Sequence, residues 1–160
     1  MKKILIICIV FFITTSISAQ LKQHINPDGV NKPKTYSQVV KVNGGSMIFT
    51  SGIVADDTNG TIIGKGDLKA QVRQAFENLK IVLAAAGADF KDVVKMTYYV
   101  VNYKPDQIPM IREVRANYLP NENPPASTLV GVAALFNPDV LIEIEAVAVI
   151  KRQKKNYIHN

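Results

Sequence analysis

The chain has 160 residues, 48% of them hydrophobic and 20% charged, with a formal net charge of +6. That length supports one hydrophobic core and is short for two comfortable domains. The positive charge gathers at the ends, at Lys2 and Lys3 and again at Lys151, Arg152, Lys154 and Lys155, while residues 20–150 balance 13 acidic side chains with as many basic ones. A body without net charge argues against nucleic acid as a partner, and the basic residues 151–160 read as a solvated tail.

Residues 1–19 come first. Lys2 and Lys3 form a positive start, Ile4 to Ile13 an apolar run, and Ser16-Ile17-Ser18-Ala19 a small-residue cleavage site before Gln20. That order predicts a cleaved signal peptide and export to the periplasm or beyond the cell, with no membrane attachment after cleavage. Cys8, the one cysteine, lies inside the apolar run after Ile7, which does not fit a lipoprotein site. Losing it would leave a mature protein without a disulfide in a compartment where disulfides form.

Residues 20–35 are polar and carry Pro27, Gly29 and Pro33, so they read as an extended lead-in without a core of its own. The domain is expected over 36–150. Val39, Val40 and Val42 precede Asn43-Gly44-Gly45-Ser46, and Met47 to Ile53 follows. Two β-rich runs about an Asn-Gly-Gly turn predict a hairpin. Asp67 is placed to cap a helix on which Leu68, Val72, Ala75, Phe76, Leu79, Val82, Leu83 and Ala86 share a face, and Gly87 to end it. Val93 to Val101 reads as a strand, about 108–118 as a second helix, and Ser127 to Leu135 and Val140 to Ile150 as two closing strands. The expected order is ββαβαββ, an α+β domain with two helices on one face of a sheet. Its other sheet face then needs a cover, which in so short a chain is expected to be another subunit.

The two histidines, His24 in the lead-in and His159 in the tail, build no zinc spacing and no Ser-His-Asp arrangement. No glycine-rich turn joins a strand to a helix to cradle a phosphate. Neither a metal nor a cofactor is expected. What stands out is Leu141-Ile142-Glu143-Ile144-Glu145-Ala146, which places two carboxylates on one strand face about 6.6 Å apart. Val147 and Val149 continue that face as apolar, so the carboxylates are expected at a boundary or cleft. There one can act as a general acid or base, or position a water.

Pro33-Lys34-Thr35-Tyr36-Ser37-Gln38, Phe49-Thr50-Ser51-Gly52, Gln71 to Gly87, Val93-Val94-Lys95-Met96-Thr97, Pro124-Pro125-Ala126-Ser127-Thr128 and Ile142-Glu143-Ile144-Glu145-Ala146-Val147-Ala148 follow one another as in a known family. Over about 30–150 the sequence resembles the RidA (YjgF/YER057c, L-PSP) imine and enamine deaminases. The resemblance implies a chorismate-mutase-like fold with a mixed sheet, and a homotrimer with clefts between subunits. It implies that Glu143 positions the hydrolytic water and that Tyr36 and Gly52 line the cleft; Tyr36 can equally be a packed core residue. The family's carboxylate-gripping arginine follows Pro-Ala; here Ser127 stands in that place, with Thr128 beside it.

A guanidinium–carboxylate pair is hard to replace. Arg112 and Arg115 on the second helix are expected to face solvent, Lys95 offers only a point charge, and the Ser127 and Thr128 hydroxyls can hold a neutral or differently shaped ligand. Two functions follow. One is an imine or enamine deaminase with an altered small-molecule substrate. The other is a non-catalytic homotrimer binding a small molecule in the same cleft. A ribonuclease reading, from an older family name, has little support in a body of zero net charge.

Overall fold

A computed structural model describes residues 20–152. The leader expected at 1–19 and most of the basic tail lie outside the described residues. Strands β1 (Lys22–Ile25), β2 (Val39–Val42) and β3 (Ser46–Phe49) come first, then helix α1 (Leu68–Ala85) and strand β4 (Val93–Val101). Helix α2 (Ile108–Arg115) and strands β5 (Ala126–Val132) and β6 (Ile142–Ile150) complete the chain.

The main sheet runs β3-β6-β4-β5. It is mixed, with β4 and β5 parallel and the β3–β6 and β4–β6 pairs antiparallel. Both helices pack on one face, as the α+β reading expects. Asp67 caps α1 by accepting from the Ala70 N–H at 3.0 Å, and Gly87 follows its end at φ 73°. Helical spacing puts Val72, Ala75, Phe76, Leu79 and Leu83 in the core. Val82 and Ala86, expected on that stripe, are exposed on its flank. Period-two alternation does the same for the strands, burying Met96, Tyr98 and Val100 of β4 against Ile142, Ile144 and Ala146 of β6. Phe76 stacks on Tyr118 with ring centroids 4.8 Å apart and meets Phe90 at 5.8 Å.

One local expectation fails. The Asn43-Gly44-Gly45 turn does not close a hairpin: β2 pairs antiparallel with β1, and β3 pairs with β6. The lead-in therefore contributes a strand of its own. Gly44 and Gly45 both hold positive φ, but Gly45 also lets the backbone approach β6, where an added Cβ would lie 2.7 Å from the Ile150 carbonyl and from Val149. That close approach lets β3 begin against the apolar end of β6. The last two strands are not sheet neighbours: β6 inserts between β3 and β4, and β5 takes the sheet edge.

Candidate functional site

Strand pairing decides which side chains share a face. Glu143 lies opposite Tyr99, Glu145 opposite Thr97, and Val147 opposite Lys95, all on the face away from the helices. The Tyr99 hydroxyl donates to Glu145 Oε1 at 3.1 Å, and that carboxylate first, then burial, pushes the phenol pKa up. Lys95 donates to Thr128 Oγ1; burial lowers its pKa, partly offset by Glu145. Glu143 is half-buried and accepts no hydrogen bond from the described side chains, so its carboxylate remains available.

Gly52 sits directly against it. The segment after β3 follows β6 through Thr50 N–H to Ala146 O and Ile53 N–H to Ile144 O, at 3.0 and 2.8 Å. A Cβ on Gly52 would fall 1.7 Å from Glu143 Oε1, so glycine makes the space in which the carboxylate lies. Gly52→Ala is expected to keep the melting temperature, since the clash is with the end of a flexible side chain. Displacing the carboxylate is expected to cost about 100-fold in any reaction in which it moves a proton, read beside a thermal melt.

Tyr36 and Ser127 lie elsewhere. Ser127 pairs with Met96 and Leu129 with Tyr98, so both point toward the helices, whereas Thr128 pairs with Thr97 on the open face. Ser127 and Thr128 therefore lie on opposite faces of the sheet within a single chain, because adjacent strand residues face opposite ways. The backbone at Ser37 runs beside β5, its N–H donating to Pro125 O at 3.2 Å, which brings half-buried Tyr36 to Ser127. Together with Thr35, Tyr98, Leu129 and α2 they line an open-sided cavity of about 210 Å³.

Arg115 corrects the expectation that both α2 arginines face solvent. It is 8% exposed, donates to the Thr35 carbonyl and lies 5.8 Å above the Tyr98 ring. Burial pushes that tyrosine's pKa up to about 12. Arg112, one turn earlier, is exposed and lines the same cavity. The spacing of the two arginines gave no sign of this, because α2 is short and its apolar stripe narrow.

Sequence reasoning also missed two amides on α1. Buried Gln71 donates to Asp139 O at 2.7 Å and accepts from the Leu141 N–H at 2.8 Å, fixing the entry to β6. Asn78 donates to Val54 O and Asp56 O, both at 2.9 Å, holding the loop beyond Gly52. One helix thus clamps both segments that meet at Glu143. Gln71→Leu strands two backbone groups and is expected to cost about 1–3 kcal/mol for each, measured by urea unfolding. His24, read as unremarkable, contacts Ser37 Oγ at 3.0 Å and Pro124 O at 3.1 Å. Ser37 itself is buried and donates to that carbonyl, so the pair ties β1 to the loop before β5 and offers no nucleophile. Among the described residues no group of three or more His, Cys, Asp and Glu could hold a metal ion.

The family model described as Endoribonuclease L-PSP matches residues 29–150. A RutC family protein of Pyrococcus horikoshii is 40% identical over 80% of this chain and 98% of its own length. The 3-aminoacrylate deaminase RutC of Acinetobacter baylyi is 35% identical over 79% of this chain and 97% of its own length. The crystal structure of a Rid family protein, YyfB from Yersinia pestis, superposes with a TM-score of 0.77 at 37% identity, covering 82% of this chain and all of that one. The chain belongs to the Endoribonuclease L-PSP family, whose relatives carry the names RutC and Rid.

Proposed function

We propose that this protein is a deaminase that hydrolyses a reactive imine or enamine to a carbonyl compound and ammonia. The carrying observation is Glu143, a half-buried carboxylate left free of hydrogen bonds from the described side chains and seated against the bare backbone of Gly52. Such a group can take a proton from water as the water adds to the imine carbon, then return it to the departing nitrogen. The similarity to a 3-aminoacrylate deaminase supports the reaction class.

The site is completed by a second copy of the chain in a homotrimer. Tyr36 and Ser127 lie on the helix side of the sheet and Gly52 and Glu143 on the other, so one chain alone cannot bring them together. The open face also leaves Met47 59% and Phe49 70% exposed, an apolar surface suited to a copy of itself. Ser127, where the family's arginine is expected, alters which substrate is accepted.

The test is ammonia release from freshly generated 2-iminopropanoate by the native protein and by Ser127→Arg. Release by the native protein supports the reading. Release by Ser127→Arg alone favours a second one, a non-catalytic small-molecule binder, for which the missing arginine is the supporting observation. Export is part of the same proposal: intact mass of the purified mature protein is expected to begin at Gln20, and a retained leader would contradict it.

A further inference from the structure

We infer that Arg112, backed by Arg115, is the anion anchor of this protein and holds the carboxylate of a small imino or keto acid in the cavity over Ser127. The inference rests on the proposed deaminase site and names its specificity-determining residue.

Arg115 supplies the first reason. A guanidinium is seldom buried without a counter-charge, yet Arg115 is 8% exposed and its contacts among the described residues are a carbonyl and an aromatic ring. None of the described ion pairs includes it or Arg112. A guanidinium has five N–H donors. No buried side-chain nitrogen or oxygen of the described residues lacks a partner, so donors not used on Thr35 open onto accessible space. Both arginines line the cavity, and no acidic side chain is among the residues that line it.

The cavity itself supplies the second. Its lining mixes hydroxyl-bearing residues, Tyr36 and Ser127, with the apolar Ile108, Ile111 and Leu129 and the two arginines. At about 210 Å³ it is smaller than the usual range for drug-sized ligands, a size that suits a molecule of a few carbons. A longer side chain at 127 would project into this space. The serine leaves it open, and the cation is delivered from α2 across the cavity instead. An arginine carried by a helix can still pair bidentately with a carboxylate. The anchor has moved from strand to helix, and the bound acid is displaced toward α2.

Titration calorimetry with 2-oxobutanoate, and with butanone as its uncharged counterpart, tests this on the native full-length protein and on Arg112→Gln. Arg112 is exposed, so its replacement leaves the core intact, and a thermal melt checks that. The expected result is saturable binding of the acid, at least tenfold weaker in Arg112→Gln, with no binding of butanone to either. Native-strength binding by Arg112→Gln, or no binding of the acid to the native protein, overturns the inference. Ammonia release separates the two claims. Arg112-dependent binding without any ammonia release leaves the anchor standing and removes the deaminase. Ammonia release with an unchanged KM in Arg112→Gln removes the anchor and leaves the deaminase.

Discussion

Glu143→Gln is expected to lower kcat for ammonia release by about 10²–10⁴-fold while leaving the fold and the affinity for a keto acid unchanged. The amide keeps the shape of the carboxylate beside Gly52 but cannot accept a proton from water. Nothing described depends on Glu143 for stability, because it makes no hydrogen bond of its own there. Glu145, on the same face, is already engaged by Tyr99, so Glu145→Gln is expected to have the smaller effect. A kcat within threefold of native in Glu143→Gln would remove the carboxylate from the mechanism.

Phe76→Ala is expected to destabilise the domain by about 3–5 kcal/mol, read from urea or thermal unfolding. The ring is fully buried and stacks on Tyr118, with Phe90 and Tyr98 against it at 5.8 and 6.3 Å. It joins α1 to both the sheet and the segment after α2, so no single neighbour can move to fill the void. Loss on that scale approaches the whole stability of a small domain. A cost below 1 kcal/mol would mean that the helix layer is not seated as described.

The helices and the long strands were legible in the sequence because each obeys one period over many residues. Val93–Val101 and Leu68–Ala85 are bounded by caps and turn residues that act locally. Pairing was not legible. The glycines at 44 and 45 signal a turn, but the choice between β2 and β6 as the partner of β3 depends on a contact with Val149 about a hundred residues away. A polar lead-in could not announce β1, whose partner strand follows only after residues 26–38.

Of the candidate site, the alternation in Ile142–Ala146 placed the two glutamates on one face. The separation of Ser127 from Thr128 follows from the same alternation, yet the side each takes needs the register with β4. Arg115 was expected at the surface for a different reason. Its burial depends on Tyr98 and on the Thr35 carbonyl, two groups from distant segments that no periodicity within α2 records.

The central claim is that the catalytic cleft takes one half from each of two copies of the chain. Co-expressing Tyr36→Ala with Glu143→Gln tests it most directly, since each variant alone spoils every cleft in its own assembly. Random mixing in closed oligomers would pair an intact Tyr36 side with an intact Glu143 side in about a quarter of the clefts. Ammonia release is therefore expected to return to about a quarter of the native rate. Mixed assemblies as inactive as either variant alone would contradict a shared cleft.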